Sequence, residues 1–439
     1  MGAILAAGIG LGAALSGVPT ALVLGTIAAL LAIAAALYSP ALGLAVLAVS
    51  FPFDLTTYAG PLKLTTSQAL FLILVVVLVG RHFARTPPPV HRTPLDLAVV
   101  LFAAATVLSV LGLAGYYGDQ LVALVKAAGG FLLFFIVTQS LRERREPWLV
   151  IAGVLGAGLL LSLMAVIPIL QGTVSISDQN RLTAINVIDA NLFAGYLVIL
   201  IPLALAAGLA LRWRWAPVAA GVALLILGAA VLATLSRGGW LGFVVGVAVM
   251  AVLLPGRRRV ILGTAGAVVF ILLIGGLAGP VAARLGTGSG ASPFQTLLDR
   301  VPIWQAAITL WLQHPVFGIG LDNFNNYVLA LNPDLDVNQA HDLFLNILAE
   351  RGLLGIITFG IFLVVLFRTL ARSLKLASDR TDRILAVGVT ASLAAFLADS
   401  LFDVAYYDYK ILLLFWLLVG IAAILPRLFQ PANAAHRAA

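Results

Sequence analysis

The chain has 439 residues, 62% of them hydrophobic and only 10% charged, with a mean hydropathy of +1.09 and a formal net charge of +8. A water-soluble domain carries roughly 25% charged residues, so that class is excluded. The absence of cysteine removes disulfides, thiolate metal sites and cysteine nucleophiles.

Apolar runs of roughly 20 residues, the length that crosses a hydrocarbon core as a helix, recur along the whole chain. In lipid the backbone must satisfy its own hydrogen bonds, which makes helices the default. The short alternating segments of a membrane barrel do not appear. The apolar blocks fall at 4–17, 19–38, 40–52, 66–80, 95–114, 120–141, 148–170, 191–211, 216–235, 238–254, 260–281, 343–367, 384–402 and 411–426. The first lacks a basic start and a small-residue cleavage site followed by polar sequence, so a retained span is expected there rather than a signal peptide. The first and third are short enough to be half-spans or re-entrant segments. The expected fold is an all-α polytopic membrane protein with about 12 to 14 crossings.

Most connections are brief. The exception is a stretch of about 60 residues, 282–341, far longer than ordinary connections and of a length that signals function. The expected organisation is an N-terminal transmembrane bundle over 1–281 and an extracytoplasmic loop over 282–341. C-terminal transmembrane helices over 342–430 and a cytoplasmic tail over 431–439 follow.

Basic residues cluster at Arg81, Arg85 and Arg92, at Arg142, Arg144 and Arg145, at Arg212 and Arg214, and at Arg257, Arg258 and Arg259. Further clusters fall at Arg368, Arg372, Lys375, Arg380 and Arg383, and at Arg427 and Arg437. With these spans all of them fall on one side, the cytoplasmic one by the positive-inside rule. Both termini are expected there. The net charge is thus accounted for by topology, and no basic stripe with interleaved aromatics argues for nucleic acid. The remaining cations, Lys63, Lys126, Arg181, Arg237, Arg284, Arg300, Arg351 and Lys410, lie on the other side or within spans, where they need another reason.

Three segments on that other side carry the polar chemistry. "SDQNRLTAINVIDANLFAGYL" (177–197) holds Arg181, Asp189 and Asn191. "TLSRGGWLGF" (234–243) holds Arg237 in a tight turn, with Ser236 placed to cap the next helix. The N–H groups of such a turn favour an anion, and an arginine adds a bidentate phosphate binder. The long loop contains an amphipathic helix at 296–313, broken by Pro315 and the glycines at 318 and 320. Arg300, near the start of that helix, is unfavourable for the helix dipole and calls for an anionic partner. His341 opens the next span beside Asp342, with Asn346 and Glu350 following at roughly one-turn spacing. A neutral histidine oriented by a carboxylate is a general base. Arginines sharing a face with such a base suit displacement of a diphosphate leaving group. No outer carboxylates have the spacing of a magnesium site, so no metal and no cofactor is expected.

Each residue also has a plainer reading. His341 can cap its helix or pair with Asp342. Arg237 can anchor at the lipid headgroups, and Arg300 can pair with Asp299 or Glu350. Lys126 can line a cavity or snorkel, and His314 reads as a turn residue. Asp399, Asp403 and Asp408 can contact an acceptor or belong to an ordinary aromatic belt.

Taken together, "RLTAINVIDANLFAGYL", "TLSRGGWLGF", "RVPIWQAAITLWLQHPVFGIGLDNF" and "AHDLFLNILAERGLLG" resemble the O-antigen ligase and O-antigen polymerase superfamily over residues 175–370. The resemblance implies a GT-C type, inverting, metal-independent glycosyltransferase in the cytoplasmic (inner) membrane with an extracytoplasmic active site. It implies a glycan donor linked to undecaprenyl diphosphate, a glycan or lipid-linked acceptor, contact with membrane lipids and no nucleic acid. It puts His341 at the catalytic histidine and Arg181 and Arg237 at the arginines that hold the diphosphate; Arg300 is a further candidate, and "HPVFGIG" reads as structural. Ligase-like transfer is the first reading and an O-antigen or exopolysaccharide polymerase the second. A flippase for polyprenyl-linked glycans and an envelope scaffold are the readings from other classes. No repeat of the transporter kind is evident.

Overall fold

The computed structural model describes residues 30, 33–53, 56–59, 62–84, 90–111, 117–177, 180–183, 189–285 and 298–430. The elements are α1 (Pro40–Ser50), a hairpin of β1 (Thr56–Ala59) and β2 (Leu62–Thr65), α2 (Thr66–Ala84), α3 (Asp96–Leu111) and α4 (Tyr117–Ser140). Then come α5 (Glu146–Leu170), α6 (Ala190–Ala210), α7 (Ala216–Ala233), α8 (Arg237–Leu253), α9 (Arg258–Leu272) and α10 (Ala278–Arg284). The chain closes with α11 (Val301–Gln313), α12 (Phe324–Leu331), α13 (Leu343–Leu376), α14 (Arg380–Asp399) and α15 (Tyr409–Phe429).

The protein is an all-α polytopic membrane protein. Among the described residues seven helices are long and apolar enough to span: α4 from Gln120 onward, α5, α6, α7, α13, α14 and α15. The α8–α9 pair meets that test together with a bend of 110°, and three shorter apolar helices lie at 40–53, 68–80 and 96–111. The expectation of about 12 to 14 crossings therefore meets seven full-length spans, the bent pair and these shorter helices. The block at 4–17 and most of that at 19–38 lie outside the described residues. The tail at 431–439 does too. The antiparallel hairpin, in which Thr56 pairs with Thr65 and Ala59 with Leu62, is absent from the sequence expectation.

The bend between α8 and α9 returns the chain to the face it left. Arg237, at the start of α8, donates from Nη2 to the carbonyl of Arg284 at the end of α10 (2.7 Å), and the Arg284 Nε donates to the Leu235 carbonyl (3.2 Å). A single broken span would leave these ends on opposite faces.

The basic residues at the described helix ends gather at one face, where arginines tie those ends together. Arg144 pairs with Asp382 (2.9 Å) and donates to the Leu428 carbonyl (2.9 Å). Arg427 donates to the Leu141 carbonyl (2.7 Å) and Arg380 to that of Leu209 (2.8 Å). Carbonyls in the last turn of a helix have no partner within it, and these guanidiniums supply one. The opposite, far face carries Arg181, Arg237 and His341.

In lipid, helices associate through close packing of small residues more than through a hydrophobic drive. Gly238, Gly242 and Gly246 recur every fourth residue and so form one face of α8. A methyl at these positions would stand 2.9 Å from the Asp399 carboxylate, 2.8 Å from the Ala395 carbonyl and 2.9 Å from Pro202, respectively. This bare stripe brings α14 and α6 against α8. The apolar helix α15 is almost wholly interior, its Trp416 ring packed on Phe131 (4.9 Å between centroids) and Phe362 (5.3 Å).

The long loop and the start of α13 share a small core of Ile303, Ala306, Ala307, Leu310, Ile319, Phe324, Val328, Ala340 and Ala349. The first four recur at helical spacing on α11. Of the helix expected at 296–313, residues 296 and 297 lie outside the described residues; α11 itself starts at Val301 after a turn at 299–300, with Pro302 in its first turn, where proline is well tolerated. The residues after it clasp a break in α13. Gly352 takes φ 62°, ψ −161°, a region essentially restricted to glycine. Ile319 and Gly320 donate to the Ala349 and Glu350 carbonyls (2.9 and 3.0 Å), while Leu353 and Leu354 donate to those of Pro315 and Val316 (2.8 and 3.2 Å). Backbone groups freed by the break are thereby satisfied, as a low-dielectric setting requires.

Candidate active site

His341 stands at the far face, where the loop enters α13. Its φ of 50° places it in the left-handed region, uncommon for a side-chain-bearing residue. Three neighbouring contacts hold that conformation. The Ala340 N–H donates to Asn346 Oδ1 (2.9 Å), Asp342 Oδ1 accepts from the Leu345 N–H (2.8 Å), and the Leu343 N–H donates to the Ser400 carbonyl (2.9 Å). The helix cap is therefore Asp342. Burial pushes the Asp342 carboxyl above its usual range, against the pull of the Leu345 and Phe344 N–H groups and the Arg300 charge.

The His341 ring faces Asp403 instead of Asp342. Its Nδ1 lies 3.8 Å from Asp403 Oδ1, and that nitrogen is buried without a hydrogen-bond partner. The Asp403 carboxylate is itself buried and accepts from the Val404 N–H (2.7 Å) and from Gln339 Nε2 (3.4 Å). An imidazole with one nitrogen turned to a fixed carboxylate presents the other to its surroundings.

Asp399, one turn earlier, is fully buried with neither carboxylate oxygen hydrogen-bonded. It wedges between α6 and α8. A methyl on Gly195 would come 2.8 Å from its Oδ2, and one on Gly238 would come 2.9 Å from its Oδ1.

The arginines converge from three directions. Ser236 caps α8, its Oγ accepting from the Gly239 N–H (3.3 Å). Arg237 is thus the first residue of that helix, bonded to the Arg284 carbonyl as described. Arg300 immediately precedes α11 and is half-buried. Burial lowers its pKa; Asp403 and Asp399 raise it, while Arg284 and Arg237 lower it further. These five side chains therefore share one electrostatic neighbourhood. Arg181 attaches to the same α7–α8 turn, its Nε donating to the Thr234 carbonyl (2.7 Å) and its Nη2 to Asn191 Oδ1 (2.5 Å).

Of the four residues singled out in the sequence, the structure links Arg237 to Arg300 electrostatically, and Asp403 joins them to His341. Arg181 sits at the rim of the turn. Glu350 is turned away: it accepts from the Tyr407 hydroxyl (2.5 Å) and the Asp322 N–H (3.1 Å), and Tyr407 also accepts from Arg351 (2.9 Å). The pairing of Asp403 with His341 and the place of Arg284 among the arginines are not legible in the sequence. The signal for Arg284 was a cation on the face where topology asks for none. Asp403 lies 62 positions beyond His341, and no local pattern joins them.

Residues 222–360 match the family model described as O-Antigen ligase. The matched region runs from α7 through the Arg237 turn and the loop to His341 and the break in α13. It supports assignment to the O-antigen ligase and polymerase superfamily, which implies a membrane enzyme of the glycosyltransferase kind with lipid-linked glycan substrates. No curated protein matches the sequence.

Proposed function

We propose that this chain, assigned through residues 222–360 to the O-antigen ligase and polymerase superfamily, is an inverting, metal-independent glycosyltransferase of the GT-C type. It takes a glycan from undecaprenyl diphosphate and passes it to an acceptor hydroxyl at the far, extracytoplasmic face of the cytoplasmic membrane. The observation that carries this reading is the meeting of His341 and Asp403 with Arg237, Arg284 and Arg300.

In this reaction the His341 nitrogen turned away from Asp403 accepts the proton of the acceptor hydroxyl. The oxygen attacks the anomeric carbon from the side opposite the phosphate. The new C–O bond forms as the bond to the phosphate oxygen breaks, and the diphosphate leaves with the electron pair. Arg237 and Arg300 neutralise the developing charge, with Arg181 at the rim of the diphosphate site. Asp403 stabilises the imidazolium that forms. Shortening the 3.8 Å separation by roughly 1 Å would make a hydrogen bond, and such contacts often tighten only with substrate bound.

The acceptor we assign is a lipid-linked sugar, as for a ligase; a polymerase would use the same residues with a second glycan as acceptor. Native mass spectrometry of the purified protein tests the donor site. Wild type is expected to carry a polyprenyl diphosphate species that Arg237→Ala loses. Retention by both proteins, or by neither, would count against the diphosphate site and favour a transporter.

A further inference from the structure

At the basic face an open apolar groove of about 250 Å³ runs between α5, α6 and the start of α14. Ile151, Ala152 and Leu155 form one wall, Ala207 and Ala210 the other, and Thr381 the end. Small residues on α6 leave this gap, and nothing polar lines its length except Thr381. Its rim is charged. Leu211, a lining residue, is followed by exposed Arg212; Thr381 is preceded by exposed Arg380, whose guanidinium donates to the Leu209 carbonyl (2.8 Å). Of the acidic residues nearby, Glu146 accepts from the backbone N–H groups of Arg142 and Glu143, and the others are engaged with other cations. Asp379 and Asp382 pair with Arg144, and Glu143 pairs with Arg145. Among the described residues neither Arg212 nor Arg380 has a salt-bridge partner. Trp148 at the groove mouth and exposed Trp213 and Trp215 beside it occupy the headgroup level that tryptophan favours.

From this charge complementarity we infer that the groove holds an anionic phospholipid, one acyl chain between α5 and α6 and the phosphate on Arg212 and Arg380. Basic pockets between transmembrane helices recognise anionic headgroups in this way. The site is separate from the proposed donor site. The helix α6 runs from the far face at Ala190 to the groove at Ala210; at 1.5 Å per residue that places the two sites roughly 30 Å apart. A donor lipid with its diphosphate at Arg237 cannot also set its headgroup here.

The test uses the purified full-length protein, equilibrated with vesicles of equal phosphatidylglycerol and phosphatidylcholine of matched acyl chains, then examined by native mass spectrometry. One phosphatidylglycerol per chain is expected to be retained in preference to phosphatidylcholine. Arg212→Gln combined with Arg380→Gln should weaken that retention by about tenfold or more. Ala207→Phe, which fills the groove and keeps both charges, should abolish it. Thermal melting of each variant reports whether it folds, and the arginine pair, being exposed, remains decisive if Ala207→Phe does not. Equal retention of the two lipids, or an unchanged preference in the arginine variant, overturns the inference. So does loss of a polyprenyl lipid from that variant, which would make the groove part of the donor site.

Discussion

At the scale of single residues, the consequential feature is a histidine held in a left-handed conformation and aimed at a buried aspartate. If Asp403 fixes the His341 ring and stabilises its protonated form, Asp403→Asn keeps the shape and removes the charge. Transfer should then fall roughly 100-fold or more, with donor retention and melting temperature near wild type. An Asp403→Asn protein of full activity would show that the pairing is only structural. Asp342 supports a separate expectation about pH. Its folded-state pKa is raised, chiefly by burial, so the folded protein holds that proton more tightly than the unfolded chain does. Stability from this group is present at low pH and is lost as pH rises through the carboxylate range. Asparagine caps a helix about as well as aspartate, so Asp342→Asn should melt above wild type at pH 7, and the difference should shrink towards pH 4. A lower melting point at pH 7 would contradict the assignment.

At the scale of elements, the break in α13 and the segment clasping it form one unit. A side chain at Gly352 would meet both an unfavourable backbone region and the Val316 carbonyl at 2.4 Å. Gly352→Ala is therefore expected to destabilise the protein by about 2–3 kcal/mol or more, read as a lowered melting temperature. A neutral Gly352→Ala would mean the clasp is dispensable. The helices themselves were legible in the sequence, because a span must be apolar over its whole length. The blocks read at 148–170 and 191–211 are α5 (146–170) and α6 (190–210). The end of α13 was harder: it runs to Leu376, well past the apolar block ending at 367, because basic residues at the membrane edge extend a helix without being apolar. The β hairpin left no such trace in its short, mixed sequence. In the site, His341 and the arginines stood out because charge is costly in this setting. Asp399 and Asp403 were visible as acids, but their places depend on how closely α14 lies against α8. That approach is set by three glycines on another helix.

At the scale of the whole molecule, a basic face is separated from the face carrying the candidate site, and the proposed reaction would therefore be confined to one side of the membrane. The proposed orientation, with the basic face cytoplasmic, rests on the positive-inside rule. The chain has no cysteine, so single cysteines report on sidedness without background. In intact cells, or in spheroplasts where an outer membrane is present, a membrane-impermeant maleimide should label Asn332→Cys directly and Lys375→Cys only after permeabilisation. The reverse pattern would invert the orientation.

The most direct test of the central claim is glycan transfer by the purified protein in proteoliposomes, supplied with a polyprenyl-diphosphate-linked glycan and a lipid-linked sugar acceptor. Wild type is compared with His341→Asn, because asparagine tolerates the left-handed backbone but supplies no base. The account predicts a glycosylated acceptor and free polyprenyl diphosphate with wild type, and neither with a folded His341→Asn that still retains the donor. Transfer undiminished in His341→Asn would contradict it.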